Sequence, residues 1–269
     1  MTEKRKTHIL LTNDDGVTAP GLAALAEALT PIARVTVIAP DRNWSASGHV
    51  KTMHKPLRAD EVTMPNGMPA LATTGAPSDA VTLGLMGLAE MPVDLVIAGI
   101  NRGENLGHDV TYSGTVTAAM EGAIAGVPSF AISLNTRAQD ADYGVAAAFA
   151  AHLAQVVLAN GLPARVLLNV NVPALPAAQI RGVRVTRMGL RIYHDILVHR
   201  EDPFGQPYYW IGGDPPTGLQ EEGTDIGALA QGYISITPIQ LDFTAYALIA
   251  QLKGWGMSDW TPTGLQIGE

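Results

Sequence analysis

Three short polar stretches contain the residue types that bind metal ions and phosphate groups. The first is Asp14-Asp15-Gly16, which directly follows the apolar run at 9–12. The second, at 43–47, contains two serine hydroxyls, and the third, at 101–105, contains two asparagine amides. Oxygen atoms of carboxylates, hydroxyls and amides are the ligands that a hard cation such as Mg²⁺ or Mn²⁺ prefers. The three stretches together therefore predict a site for a divalent cation.

A fourth stretch, Ser113-Gly114-Thr115, is predicted to begin a helix and to bind an anion. The first backbone N–H groups of a helix have no partner within it and attract negative charge. A cation site beside an anion site indicates phosphate chemistry. Structural alternatives exist, because an aspartate pair also serves turns and helix caps, and Ser113 also suits a helix N-cap. Capping and anion binding are compatible roles for Ser113.

Alternating strands and helices are predicted to position these stretches. Apolar runs typical of buried parallel strands alternate with amphipathic helices up to about residue 175. The main predicted strands are 9–12, 35–39, 94–98, 129–133 and 166–172, and a small hairpin excursion is predicted from 51–53, 61–63 and 70–73. Because the carboxyl ends of parallel strands meet at one edge of a sheet, we expect the polar stretches to converge there.

The predicted fold is a single α/β domain over residues 1–269, with a Rossmann-like, doubly wound and mostly parallel sheet in 1–175. The alternation ends in 176–269, where a β-rich pattern predicts an arm that extends the fold or contacts another subunit. The aromatic run Tyr208-Tyr209-Trp210 is interpreted as arm or interface packing in preference to a base-stacking platform. A last helix at 246–252 is predicted to precede a polar tail at 254–269.

The composition excludes several classes of protein. A formal charge of −8 argues against duplex nucleic acid and anionic membranes as partners. Because the chain has no cysteine, it contains neither disulfides nor a thiolate metal site nor a cysteine nucleophile. No secretory signal and no membrane-spanning run is recognisable, so we expect a soluble cytoplasmic protein.

The polar motifs also resemble, in order and spacing, those of the SurE family of metal-dependent 5'-nucleotidases, the stationary-phase survival proteins. The matching segments are Thr12–Gly16, Ala39–Asn43, Gly75–Asp79, Gly99–Asn101, Asn105–Gly107, Tyr112–Val116, Ala119–Gly122, Thr224–Asp225 and Gly232–Pro238. Several motifs in the same order make a chance match very unlikely. The resemblance extends over nearly the whole chain.

This resemblance implies a hydrolase that converts nucleoside 5'-monophosphates to nucleoside and phosphate, with 3'-nucleotides and short polyphosphates as candidate further substrates. It implies one Mg²⁺ or Mn²⁺ per subunit, held by the residues that match Asp14, Asp15, Ser45 and Asn101. The implied catalytic residues are Asp14, Asp15, Asn105 and Ser113, and the implied phosphate-binding residues are Ser45, Asn105, Ser113, Gly114 and Thr115. A homodimer or homotetramer with a β-hairpin arm and an exchanged C-terminal segment is also implied.

The chain departs from the family pattern at Trp44, at His108 and in the run Ser45-Ala46-Ser47-Gly48-His49. Trp44 and His108 are candidates for altering the accepted base or leaving group. Ser45 is favoured over Ser47 as a ligand because of its distance from the preceding motif. The proton acceptor stays open between Asp14 and Asp15. Glu121, on the helix that follows the anion site, is interpreted as an exposed or helix-stabilising carboxylate.

Other functions fit the sequence less well. A regulatory protein that binds a nucleotide without hydrolysing it is the main alternative. An aspartyl-phosphate phosphatase needs two aspartates separated by one residue, whereas Asp14 and Asp15 are adjacent. A dinucleotide oxidoreductase and a serine esterase are disfavoured because G-x-G-x-x-G after the first strand and G-x-S-x-G are both missing.

Overall fold

A computed structural model describes residues 5–256 as a nine-stranded sheet with helices on both faces and a separate two-stranded arm. The elements in chain order are β1 (His8–Thr12), α1 (Pro20–Leu29), β2 (Arg34–Pro40), β3 (Ala59–Thr63), β4 (Pro69–Thr73), α2 (Pro77–Leu83), β5 (Leu95–Arg102), α3 (Gly114–Ile124), β6 (Ser129–Asn135), α4 (Gly144–Asn160), β7 (Val166–Pro173), β8 (Val183–Val185), β9 (Arg191–Glu201), β10 (Pro207–Gly218), α5 (Asp225–Ala230), β11 (Ile234–Gln240) and α6 (Tyr246–Lys253).

The sheet has the order β3-β4-β2-β1-β5-β6-β7-β11-β8. The five strands from β2 to β7 in this order run parallel, which confirms the predicted α/β class. The chain passes from β1 to β2 on one side and continues from β5 on the other, so the strand order reverses between β1 and β5. Open α/β sheets bind their ligands in the crevice at such a reversal. The first and third polar stretches follow β1 and end β5, and they therefore flank this crevice.

The central strands are mostly apolar because both faces of the sheet are covered. In β1, Ile9 and Leu11 contribute to one buried cluster and Leu10 to the other. Side chains alternate between the faces of a strand, so two covered faces require an uninterrupted apolar run. Helices α1 and α4 pack on one face, and α2 and α3 pack on the other.

The predicted hairpin excursion is present, although one of its strands is not. Strands β3 and β4 pair antiparallel, and β4 joins the main sheet beside β2. The prediction of a strand at 51–53 is wrong. The backbone N–H of Thr52 donates to the carboxylate of Asp79 at 3.0 Å, so it takes a side-chain partner where a strand would take a neighbouring strand.

The C-terminal third extends the sheet and forms the arm, as the β-rich pattern predicts. Strand β11 pairs antiparallel with β7, and β8 adds to it in parallel. Strands β9 and β10 form a long antiparallel hairpin outside the main sheet, with a bulge between Asp214 and Thr217. Helix α6 confirms the last predicted helix, whereas most of the predicted tail lies outside the described residues. No helix in residues 5–256 has the length and apolar character to span a membrane.

Candidate functional site

The polar stretches converge on one cavity at the carboxyl edge of the sheet. Its volume is about 250 Å³. The residues that line it are Asp14, Ser45, Ala46, Asn101, Arg102, Glu104, Asn105, Asp109, Tyr112, Ser113 and Arg137. Five of the eight residues that the sequence marks as site candidates are in this set: Asp14, Ser45, Asn101, Asn105 and Ser113. The convergence follows from the parallel order of β2, β1 and β5.

Asp14 is a buried carboxylate in the cavity wall, and its pKa is raised. Only 3% of the residue is exposed, and burial raises the pKa of its carboxyl to about 6. The hydroxyl of Thr115 donates to Oδ1 and opposes this rise, while the charge of Asp15 adds to it. Within residues 5–256, no lysine, arginine or histidine nitrogen lies within 4.0 Å of the Asp14 carboxylate. The negative charge of Asp14 is therefore left without a protein cation.

A tight turn after β1 presents the two aspartates. The side chain of Asn13 closes this turn, since it donates to the carbonyl oxygen of Gly16 at 2.9 Å and accepts from its N–H at 3.2 Å. Gly16 has a φ of +102°, a conformation that side chains disfavour, as expected for a turning glycine. The carbonyl oxygen of Asp14 accepts from the N–H of Trp44 at 2.7 Å, which ties the turn to the second polar stretch.

Asp15 lies beside Asp14 but borders a different, smaller cavity of about 180 Å³. Its carboxylate accepts from the backbone N–H of Arg102 at 3.1 Å and from the side-chain amide of Asn43 at 3.3 Å. Burial raises the pKa of Asp15, and the hydrogen bond from Arg102 opposes that rise. Arg102 lines both cavities, so the two aspartates lie on either side of the end of β5.

The serines of the second stretch occupy different positions. Ser45 is exposed and lines the cavity, and its backbone N–H donates to the side chain of Asn43 at 2.7 Å. The Ser47 hydroxyl is buried and has no hydrogen-bond partner within residues 5–256. It lies 3.1 Å from where a Cβ on Gly114 would be. Of the two serines, Ser45 alone is placed to reach a ligand in the cavity.

The two asparagines of the third stretch are held by their hydrogen bonds. Asn101 donates its side-chain N–H to the carbonyl oxygen of Gly103 at 2.7 Å, which leaves its amide oxygen for a ligand. Asn105 donates a hydrogen bond from its side-chain amide nitrogen to the Ser133 hydroxyl at 2.8 Å, and its backbone carbonyl oxygen accepts from the side chains of Asn169 and Asn171. Both asparagines therefore have defined orientations before any ligand binds.

The predicted anion site is the N-terminus of α3. Ser113 is its N-cap and accepts from the N–H of Val116 at 3.1 Å, so the capping role is present in a residue that also lines the cavity. A Cβ on Gly114 would lie 2.7 Å from Cβ of Asp14, so only glycine allows the helix to approach β1 this closely. Thr115 is fully buried, and its hydroxyl bonds Asp14 instead of facing the cavity.

Comparisons with known proteins agree with the fold and with this arrangement of the loops. The family model described as "Survival protein SurE" matches residues 9–195. The chain belongs to the SurE family. A protein of Chloroflexus aggregans named 5'-nucleotidase SurE is 49% identical over 250 residues, which cover 92% of this chain and 98% of that protein. A protein of the same name from Geotalea daltonii is 51% identical over 247 residues, which cover 92% of this chain and 98% of that protein.

A solved structure gives the same result for the fold. The crystal structure of the SurE protein from Aquifex aeolicus matches with a TM-score of 0.79 and 41% sequence identity. The match covers 92% of this chain and 99% of the Aquifex chain. The SurE fold therefore accounts for both the main sheet and most of the C-terminal third.

Several residues that hold the site in place received no positioning role from the sequence, although Asp225 lies in one of the segments that match the SurE family. Asn169 and Asn171 are buried on β7 and bind the backbone of Asn105. Asp225 is fully buried and accepts from the N–H groups of Gly107 and Gly189 at 2.8 and 2.7 Å. One signal was available for the asparagines, because two polar residues interrupt an apolar strand that is otherwise buried. The partners of Asp225 lie 36 and 118 residues away, and no local pattern indicates them.

Two of the departures from the family pattern, Trp44 and His108, lie outside the cavity. Trp44 is half-buried beneath the guanidinium of Arg42, which lies 4.9 Å from its ring centre. His108 is exposed in a short 3₁₀ turn at 107–111. Neither residue lines the cavity, so an influence of either on substrate choice stays a prediction.

Proposed function

We propose that this SurE protein hydrolyses nucleoside 5'-monophosphates to nucleoside and phosphate with the help of Mg²⁺ or Mn²⁺. The observation that supports this most strongly is Asp14, a buried carboxylate without a protein cation, in a cavity bounded by the capped N-terminus of α3. The names of the relatives, 5'-nucleotidase SurE, point to the same activity.

The residues around Asp14 have the chemistry of a divalent-cation site. Within residues 5–256, no group of three or more histidine, aspartate or glutamate side chains is arranged to hold a metal ion. A cation here would therefore be held by Asp14, with Asp15 beside it, and by the neutral oxygens of Ser45 and Asn101. Hard cations accept such mixed oxygen sets and keep positions for water and phosphate. The bound cation would provide the positive charge beside Asp14 that the protein does not provide.

We assign the binding of the phosphate group to the N-terminus of α3 and to Asn105. Helix α3 directs its first N–H groups and the positive end of its dipole toward the cavity wall that Ser113 forms. These groups are positioned before the substrate arrives, so they can stabilise the charge that develops on the phosphoryl oxygens at little reorganisation cost. We assign Gly114 and Thr115 to this role through their backbone N–H groups.

A bound Mg²⁺ or Mn²⁺ supplies Lewis-acid chemistry, polarising a phosphoryl oxygen and lowering the pKa of water. The protein side chains contribute by holding the phosphate group and the metal ligands in position. Asn105 and Ser113 fix the phosphate, and the rigid turn at Asn13–Gly16 fixes the aspartates. Because these contacts involve the phosphoryl group alone, we extend the proposal to 3'-nucleotides and short polyphosphates as further substrates.

We also propose that the protein is a homodimer or homotetramer joined through its arm. The arm exposes large apolar side chains, among them Ile196, Leu197, Trp210 and Ile211. Exposed apolar groups on a projecting hairpin favour contact with another subunit. Light scattering coupled to size-exclusion chromatography tests this directly, and a monomeric mass at micromolar concentration would contradict it.

The test of the activity is phosphate release from a panel of nucleoside 5'- and 3'-monophosphates and tripolyphosphate, with Mg²⁺, with Mn²⁺ and with a chelator. We expect release that the chelator abolishes and that added metal restores. Phosphate release that persists in the chelator would contradict the metal-dependent proposal. Binding of AMP without any release would instead support the nucleotide-binding regulator.

A further inference from the structure

Arg191 lies behind the wall of the cavity and connects the arm to it. It is the first residue of β9, and only 6% of its side chain is exposed. Its Nε lies 2.7 Å from an Asp109 oxygen, and one of its terminal nitrogens lies 3.1 Å from a Glu104 oxygen. Glu104 and Asp109 line the cavity, whereas Arg191 does not. One buried guanidinium thus pairs with two carboxylates of the cavity wall.

The negative charges of those two carboxylates would repel an anionic substrate. The wall carries three acidic side chains, Asp14, Glu104 and Asp109, and two basic ones, Arg102 and Arg137. A phosphate monoester carries up to two negative charges at neutral pH, and like charges repel strongly where water is scarce. A cation at Asp14 would balance that residue. Glu104 and Asp109 need other positive charges, and Arg191 supplies one from behind the wall, in addition to Arg137 beside Glu104.

The contacts of Asp109 and Glu104 also fix the direction in which these side chains point. The second oxygen of Asp109 accepts from the Tyr193 hydroxyl at 2.5 Å, so both its oxygens are bound by residues of β9. The Glu104 oxygen that binds Arg191 also lies 3.5 Å from Arg137. Hydrogen bonding to Asp109 raises the pKa of Tyr193 to about 12, so Tyr193 remains a donor.

We propose that Arg191 is a positioning residue for substrate binding, which offsets part of the negative charge of Glu104 and Asp109 and holds them against the arm so that a phosphate monoester can enter. This inference rests on the proposed function. It assigns to the base of the arm a role in the cavity besides any role in assembly. It also explains why an arginine is buried at the first residue of a hairpin whose other side chains are mostly exposed.

The experiment measures KM and kcat for AMP in Arg191→Gln, Glu104→Gln and the double variant E104Q/R191Q. We expect Arg191→Gln to raise KM roughly tenfold, with a smaller change in kcat, because repulsion acts on the entering phosphate. The double variant is expected to recover most of the lost affinity, since it removes one of the unbalanced charges. Glu104→Gln alone is expected to lower KM.

The matched control is Arg187→Gln, which removes an exposed arginine paired with Glu221 and is expected to leave KM unchanged.

Rescue by charge removal separates this role from a purely structural one. If Arg191 merely stabilised the loop, the double variant would bind AMP as poorly as Arg191→Gln, and that result would overturn the inference. An unchanged KM in folded Arg191→Gln would do the same. Should Arg191→Gln fail to fold, Glu104→Gln decides, because an unchanged or raised KM contradicts charge balance. A wild-type protein that releases no phosphate from any substrate would instead refute the proposed function. The same variants would then be compared by how strongly inorganic phosphate inhibits their binding of fluorescent AMP.

Discussion

Two carboxylates beside helix α3 have opposite environments. Asp14, at the N-terminus of the helix, is buried without a protein cation, and its pKa is raised to about 6. Glu121, two turns further along, lies 2.9 Å from His49 and 3.2 Å from Lys51 and accepts from the hydroxyl of Thr82 at 3.1 Å. Its pKa is lowered to about 2, chiefly by the hydrogen bond from His49. One helix therefore flanks an uncompensated acid and a fully compensated one.

The difference separates a carboxylate available for function from one that stabilises the fold. The charge of Glu121 is already paired within the chain, because His49 and Lys51 contact its carboxylate. Asp14 would be more favourable to folding if it were neutral or paired, and its burial without a partner is a cost to stability that a bound cation would remove. The sequence interpretation of Glu121 as a stabilising residue agrees with its contacts. Active sites commonly trade stability for function in this way.

The largest effect is expected for Asp14→Asn. Phosphate release should fall at least roughly 100-fold, because the amide cannot replace the negative charge that holds the cation. The free energy of unfolding in the presence of a chelator should rise or stay the same, since the variant removes a buried charge. A phosphate-release assay and urea denaturation measure the two quantities. Full activity with saturating metal would remove Asp14 from the proposed site.

The opposite pattern is expected for Glu121→Gln, the matched control on the same helix. Loss of the carboxylate should lower the free energy of unfolding at pH 7 by about 1–3 kcal/mol, because His49 and Lys51 lose their partner. Phosphate release by the folded protein should be unchanged. A variant with intact stability and lost activity would reverse the comparison and place Glu121 in the catalytic machinery.

The pH dependence of stability should also differ in sign between the two sites. The folded pKa of Asp14, about 6, exceeds its unfolded value of 3.8, so the folded state binds more protons between these values. In metal-free buffer, the wild type should therefore lose stability relative to Asp14→Asn as pH rises from about 3.8 to 6. The full difference is on the order of 3 kcal/mol, from about two pKa units.

For Glu121 the sign is reversed. Its folded pKa of about 2 lies below the unfolded value of 4.5, so its stabilisation is present above 4.5 and is lost as pH falls toward 2. The stability gap between the wild type and Glu121→Gln should accordingly shrink over this range. Urea denaturation at several pH values measures both gaps. Parallel pH slopes for the two variants would contradict the contrast between the sites.

The sequence could predict Asp14 and its companions, but not what makes Asp14 different from Glu121. Strand periodicity placed the polar stretches at the carboxyl ends of β1, β2 and β5, and parallel pairing then required them to meet. The pKa of Asp14 depends on burial by loops distant in sequence, and that of Glu121 depends on His49 and Lys51, which lie 72 and 70 residues away. The family resemblance also implied that Thr115 binds phosphate, and spacing does not show that its hydroxyl points to Asp14.

The smallest effect is expected from removing the threonine hydroxyl that donates a hydrogen bond to each carboxylate. Thr115 donates to Asp14 and lowers its pKa, so Thr115→Val should raise that pKa further. If protonated Asp14 cannot hold the cation, the acidic limb of kcat/KM for phosphate release should then move to higher pH, by up to about one unit. Thr82→Val is the matched control, because it removes the equivalent hydroxyl from Glu121. The acidic limb should not move in Thr82→Val, since Glu121 keeps His49 and Lys51 and stays ionised throughout the assay range. Equal shifts in both variants would mean that the limb reports general loosening of helix α3, and no shift in either would mean that Asp14 does not govern it.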